Sequence, residues 1–474
     1  MTESIPSPVP TVVVGAGQAG LALSRCLTAR GLRHVVLERG TIAHSWRTQR
    51  WDSFTLLSPN WQTRLPGYGY SGPDPHGFLT GPQVVAFFED YARSFAAPVR
   101  CDVAVRRVRP AAEGWLVDTT AGPLSAANVV LATGDLGHPR IPAVAARLPR
   151  DLVQRHSSAY RNPAQLPAGP VLVVGAGPSG QQVAAELAAA GRRVHLAVGR
   201  HRCLPRRYRG HDAYWWMDRL GMLDRTVDSL PAGRRRSPNA VLAGGVRDLD
   251  VRRLVAEGVT AHGRLLAAEG DVLTFAGDLP ATLAAAEDNA RRFRAAVDAH
   301  VATHGLDVPA ETVADRGDEP WTTRAPRTLA LADLAAVVWA TGFGRDHRYV
   351  EAPVLDEDGE PVHRRGVTAA AGLYFLGLRW QYRRGRRRRA PRGPHRRPHR
   401  RPSGAGRRGV TADVTVDVTG PPPDPGGGLF RRARHAAVAA VPDGPSNART
   451  TATSARIAAL SARSRSSTPS RSQS

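Results

Sequence analysis

Two short glycine patterns, Gly15-x-Gly17-x-x-Gly20 and Gly175-x-Gly177-x-x-Gly180, lie 160 residues apart in this 474-residue chain. They restrict its fold because each sits in the same local grammar. TVVV at 11–14 predicts a short buried strand, the first glycine turn follows, LALSRCLTARG has helical periodicity, and VVLE ends a second strand at Glu38. The second copy runs VLVV at 171–174, the glycine turn, the helix QQVAAELAAAG and the strand VHLAV at 194–198. In such a unit the first glycine permits the tight turn and the second lets backbone approach a pyrophosphate. The third lets the helix pack close to the strand, and the phosphates sit at the positive end of that helix. Two copies predict an α/β chain with two Rossmann-like dinucleotide-binding domains.

The copies differ where the nucleotide's ribose would sit. Glu38 ends the first unit 23 residues after Gly15, where a carboxylate can take ribose hydroxyls. The second unit has no acid there; its strand runs on through VHLAVGRH, bringing Arg200 and Arg202. An acid would repel a 2′-phosphate, whereas arginine bonds to one, so the second site leans to NADPH over NADH. In so arginine-rich a chain, these two can also be ordinary surface residues. Two further strands end in small-residue turns, Ala132-Thr133-Gly134 and Ala340-Thr341-Gly342, where the backbone can pass close to a cofactor or a domain crossover.

Composition changes abruptly at Arg379. Residues 379–474 hold 22 arginines and 4 aspartates, so +18 of the net +24 lies there and only +6 in the first 378 residues. A stretch so rich in Pro, Gly, Ser and like charges cannot build a core, and disorder is the expectation. A basic arm of this kind can touch RNA, DNA or an anionic membrane. All 65 basic residues are arginine, however, which a GC-rich coding sequence produces without selection for charge; a tail with no evolved partner is the favoured reading. No apolar run is long enough to cross a membrane, and the first apolar segment continues into the glycine turn instead of a cleavage site. Three dispersed cysteines, Cys26, Cys101 and Cys203, form no CxxC pair or disulfide framework, and a cytoplasmic location is expected. No His, Cys and carboxylate cluster has metal-ligand spacing.

Over roughly residues 10–378 the chain resembles the class B flavoprotein monooxygenases of the flavin-containing type, which include plant auxin-synthesis enzymes. The resemblance rests on the paired glycine loops at family spacing, VVLERG…SWR, the HxxxY element at His156 and Tyr160, and the late ATGF. SWRTQRWDSFTLLSPNWQTRLPG and YRGHDAYWWMDRLG look closest to a bacterial branch of flavin-dependent oxidoreductases. The resemblance implies FAD on the first loop (Gly15, Gly17, Gln18, Ala19, Gly20, with Glu38 and Arg39), and Trp46 and Arg47 along the flavin. The second ATG turn would reach the flavin's far side. NADPH would occupy the second loop (Gly175, Gly177, Pro178, Ser179, Gly180). The second domain is then inserted in the first: 1–160 and 331–378 bind FAD, 161–330 binds NADPH, and 379–474 is the tail. The implied reaction uses NADPH and O2, through a C4a-hydroperoxyflavin, to oxygenate a small organic substrate. Asn60 falls where the family has an asparagine facing the flavin's reactive edge, and His156 where it has a histidine near the domain linker.

Two departures bear on that expectation. The FxGxxxHxxxY signature keeps His156 and Tyr160 but has Arg150 and Leu152 for Phe and Gly, and His156 can equally be a packed structural histidine. GLYFLGLRW then runs through QY into RRGRRRR, where relatives continue into a small-residue turn and a flavin-capping helix. Two alternatives stay open: an NADPH oxidase or flavin-dependent reductase without oxygen transfer, and a catalytically impaired cofactor-binding protein with a nucleic-acid-binding tail.

Overall fold

A computed structural model describes residues 7–229, 242–245, 248–311 and 325–383. The chain opens with strand β1 (Val9–Val14), helix α1 (Gln18–Thr28) and strand β2 (Val35–Leu37). After peripheral elements it forms the long strand β3 (Gly122–Leu131). It then crosses to β4 (Val153–His156), β5 (Val171–Val174), helix α2 (Pro178–Ala189) and β6 (Val194–Ala197). Strand β7 (Ala336–Trp339) and finally β8 (Leu373–Phe375) complete it. Among the described residues no helix is long and apolar enough to cross a membrane.

Two sheets result. In the first, β1 lies between β2 and β3 with all pairings parallel, and Val99–Arg100 extends the β2 edge. The far side of β3 is shared: its first half pairs antiparallel with Trp115–Thr119, and its last residues pair parallel with β8. The second sheet is wholly parallel, in the order β4, β7, β5, β6 and Thr260–His262. Central parallel strands are covered on both faces, which explains why their sequences are continuous apolar runs and not alternating ones. Along β1, Val12 and Val14 enter one core while Val13 enters the opposite one. Along β5, Val171 and Val173 pack on α2's side, and Leu172 and Val174 pack on the other. Each such buried side chain contributes roughly 1.5–3 kcal/mol of transfer free energy.

The chain passes between the sheets twice. Val153–His156 already belongs to the second sheet, seven residues before the boundary expected at 160/161. Ala336–Trp339 also belongs there, beyond the boundary expected at 330/331. The first sheet regains the chain only at β8. The two crossing segments pair with each other, His138–Pro139 antiparallel to Phe343–Gly344. The region 225–330 adds Thr260–His262 to the second sheet and a three-stranded antiparallel sheet, and its long helix Leu279–His304 runs against Trp216 and Met217. The strands leading into the two ATG turns end at Leu131 and Trp339, and Gly134 and Gly342, at φ of +75° and +82°, turn the chain beyond them. The peripheral elements before β3 include the helix Gly81–Arg93 and the strand Val105–Pro110. Of the 379–474 tail only Arg379–Arg383 falls within the described residues.

Candidate functional site

The two glycine loops are near-duplicates in atomic detail. Gly15 N–H donates to Leu37 O at 2.7 Å and Ala132 N–H to Val14 O at 2.9 Å. Gly175 N–H donates to Ala197 O and Ala340 N–H to Val174 O, both at 2.9 Å. Each loop therefore touches its own ATG turn, the first at Ala132 and the second at Ala340. The second ATG turn, expected against the flavin, adjoins the second loop because β7 lies beside β5.

The glycines of each loop are required for different reasons. Gly15 and Gly175 have φ of +106° and +109°, and a Cβ there would lie 2.8 Å from Ala132 O and 2.5 Å from Ala340 O. A Cβ on Gly20 would lie 1.8 Å from Gly15 O, and one on Gly180 1.7 Å from Gly175 O. Packing thus demands the first and third glycines. It does not demand the second: a Cβ on Gly17 or Gly177 would meet nothing within 4 Å. The space above each is open, and neither α1 nor α2 has a side-chain N-cap at its positive end. That combination fits a dinucleotide pyrophosphate at both loops.

Glu38 is buried at the first loop, where Oε2 accepts from Ala16 N–H at 2.8 Å and Oε1 from Gly40 N–H at 3.3 Å. These bonds orient the carboxylate and leave lone pairs for ribose hydroxyls. Gln18 and Ala19 start α1, and Gly377, which sequence reasoning passed over, lies so close that a Cβ would come within 2.7 Å of Ala19 Cβ. The turn at Gly377 is held by Gln381, whose Oε1 accepts from Gly377 N–H at 2.9 Å and whose Nε2 donates to Phe375 O at 2.7 Å. Arg39, Thr133, Gly134, Arg200 and Arg202 are exposed. Arg47 is spent on an ion pair with Glu89 at 2.6 Å.

His156 and Asn60 occupy different places. His156 ends β4, and its Nδ1 accepts from Ser158 N–H at 3.2 Å, which leaves Nε2–H to donate to Gly342 O at 2.9 Å. Burial lowers its pKa, partly offset by the Gly342 carbonyl, so the ring is neutral at pH 7. Both nitrogens are engaged and the ring edge meets Phe343, so this histidine clasps β4 to the returning crossover. Tyr160 continues the clasp, its hydroxyl donating to Glu186 on α2 at 2.7 Å. Asn60 is buried among loop residues, with Nδ2 donating to Asp74 O at 2.9 Å and Oδ1 without a hydrogen-bond partner among the described residues.

A cavity of about 130 Å³ lies where these segments converge. One wall is Trp46, Arg50, Trp51 and Phe54; the other is Pro178, Ser179 and Gln182 at the start of α2, with Ser158 and Phe343 from the crossovers. Asn60 and His156 do not line it. Arg206, 2% exposed, ties the walls from behind: its guanidinium pairs with Asp212 and donates to Leu57 O at 2.6 Å. Arg50 and Arg206 carried no signal among 65 arginines; only the fold distinguishes them.

The profile of the pyridine nucleotide-disulphide oxidoreductase family matches residues 12–213, which include both loops. A CzcO-like oxidoreductase of Geobacillus kaustophilus is 34% identical over 381 residues, covering 80% of this chain and 93% of that protein. The chain belongs to the CzcO-like oxidoreductases. The protein is accordingly an oxidoreductase, and the family profile spanning both loops is one of pyridine-nucleotide enzymes. Indole-3-pyruvate monooxygenase YUCCA1 of Oryza sativa subsp. japonica is 34% identical over 194 residues, 40% of this chain and 47% of that one. The solved flavin-containing monooxygenase of Stenotrophomonas maltophilia shares the fold with TM-score 0.53 and 20% identity, covering 79% of this chain and 92% of its own.

Proposed function

We propose that this CzcO-like oxidoreductase is a flavin-dependent monooxygenase that uses NADPH and O2 to oxygenate a small organic substrate. The observation that carries the reading is the pair of open glycine cradles, Gly17 and Gly177, each above an uncapped helix start. The first sheet with β8 forms an FAD-binding module, and the second sheet, from β4 to β7, forms an NADPH-binding module inserted within it. Both are Rossmann-like, with the crossovers at 132–152 and 340–372 as the seams.

Bound FAD supplies the redox centre that accepts hydride from NADPH and passes electrons to O2. The chain's residues hold and align the two nucleotides. Gly17 and the start of α1 receive the FAD pyrophosphate, and Glu38 takes ribose hydroxyls. Gly177, Pro178 and Ser179 receive that of NADPH, with exposed Arg200 and Arg202 available to a 2′-phosphate. Trp46 reaches the seam cavity from the flavin side, and Phe343 closes it from the crossover. His156, Tyr160 and Arg206 brace the two modules against each other through Gly342, Glu186 and Leu57. The reading is supported by similarity to the rice monooxygenase, 34% identical over 194 residues.

The test is a stoichiometry. Purified enzyme is supplied with NADPH and a panel of soft nucleophiles and ketones while NADPH loss, O2 uptake and peroxide are followed. A substrate that lowers peroxide below the NADPH consumed, with oxygenated product making up the difference, supports the monooxygenase. Peroxide equal to NADPH under every condition replaces it with an NADPH oxidase.

A further inference from the structure

Arg50 is a cation without a counter-ion. No carboxylate among the described residues lies within ion-pair distance of it, and the acids nearby in sequence and space are taken. Asp52 accepts from Asn162 Nδ2 at 2.7 Å, and Glu89 pairs with Arg47 at 2.6 Å. Among the described residues its polar bond is Nη1–H to Gln49 O at 2.7 Å. The guanidinium carbon lies 4.8 Å from the Trp46 ring centre and 5.3 Å from that of Phe54, so two aromatic rings fix its position. Burial pushes Arg50 down to about 10, which leaves it charged at neutral pH. A cation held against two aromatic rings, with no carboxylate of the described residues beside it, is a ready partner for an anionic ligand.

The surroundings indicate which anion. Arg50 opens into the same cavity of about 130 Å³ as Pro178, Ser179 and Gln182. These residues form the start of α2, beside the Gly177 cradle, where a Cβ would meet nothing within 4 Å. The guanidinium thus faces the second loop from across the module seam, on a segment that follows the first loop. We propose that Arg50 holds the pyrophosphate of the nicotinamide nucleotide seated on the second glycine loop. The inference rests on the assignment of that loop to NADPH. It gives the nucleotide a contact on each module, so binding would draw the FAD-side segment onto α2 and couple occupancy of the second site to closure of the seam. A guanidinium suits this role because its fork can bond two phosphate oxygens at once.

The experiment compares wild type, Arg50→Gln and Arg50→Lys as FAD-loaded full chains. Dissociation constants for NADPH and for ADP-ribose 2′-phosphate, which has the pyrophosphate but no nicotinamide, are read from tryptophan and flavin fluorescence. The expected result is that R50Q weakens both ligands at least about tenfold while R50K loses less, with FAD content unchanged in each. The wild-type binding should also weaken more steeply with salt than that of R50Q. Unchanged constants in R50Q would overturn the proposal. So would loss of NADPH with ADP-ribose 2′-phosphate unaffected, which would place Arg50 at the nicotinamide or substrate end. Loss of FAD from both variants would show that Arg50 acts only by packing on Trp46 and Phe54. If wild type binds neither ligand, the NADPH assignment of the second loop itself falls, and this inference with it.

Discussion

Replacing Gly17 with alanine separates ligand binding from folding in a way that Gly20 cannot. A Cβ at Gly17 meets nothing within 4 Å and the residue's φ of −87° is open to alanine, so the apoprotein has no steric reason to lose stability. It should gain about 0.4–1 kcal/mol, because alanine restricts the unfolded chain more than glycine does. At Gly20 the same methyl would lie 1.8 Å from Gly15 O, a backbone atom that cannot swing aside. Gly20→Ala should therefore cost about 3 kcal/mol or more and fail to accumulate as folded protein. The new methyl of Gly17→Ala occupies the surface on which the pyrophosphate would rest. Losing one or two charge-assisted N–H bonds there, at about 1.5–3 kcal/mol each, should raise the FAD dissociation constant by at least about tenfold. Urea unfolding of the apoproteins and quenching of FAD fluorescence measure the two effects independently. A Gly17→Ala apoprotein clearly less stable than wild type would refute the steric argument. An unchanged FAD affinity would refute the claim that the open space serves the phosphate.

Other substitutions test separate parts of the structure. Gly177→Ala should weaken NADPH about tenfold with FAD retention intact, checked by calorimetric titration of the holoprotein. Arg206→Met removes one half of a buried ion pair and leaves Asp212 uncompensated, so urea unfolding should show a loss of about 3–5 kcal/mol. Tyr160→Phe deletes the bond to Glu186 and should cost about 1 kcal/mol. Burial and its neighbour His262 push His195 down to about 4. The unfolded chain then binds the proton first, so stability holds above pH 6.5 and falls between pH 6.5 and about 4. Discounted for partial exposure, the drop is roughly 1–2 kcal/mol, and His195→Asn should flatten the pH dependence of the unfolding midpoint across that window.

Both glycine loops were legible in the sequence because their pattern is local. Three glycines, a strand before and a helix after all fall within Val9–Thr28, and Glu38 is fixed by the length of one helix and one strand. The module boundaries were less legible because they depend on pairing between distant segments. His156 looked like the end of the first domain, yet it stands on a strand beside β7, and its partner Gly342 is 186 residues away. The sheet to which the second ATG turn belongs was not legible for the same reason: nothing in residues 335–343 says which sheet the strand will join. Arg50 and Arg206 were invisible in a chain with 65 arginines, since only burial and the lack or presence of an acid distinguishes them. Arg200 and Arg202 stand where the sequence put them, on the surface just after β6, and their role depends on the ligand.

The most direct measurement is the visible spectrum of the purified protein, taken without oxygen before and after NADPH is added. The account predicts a flavin spectrum corresponding to one FAD per chain and its bleaching by NADPH, with Gly177→Ala retaining the flavin but requiring more NADPH to bleach it. A protein that purifies without flavin and cannot be loaded, or one whose flavin NADPH leaves oxidised, would contradict the assignment of the two loops.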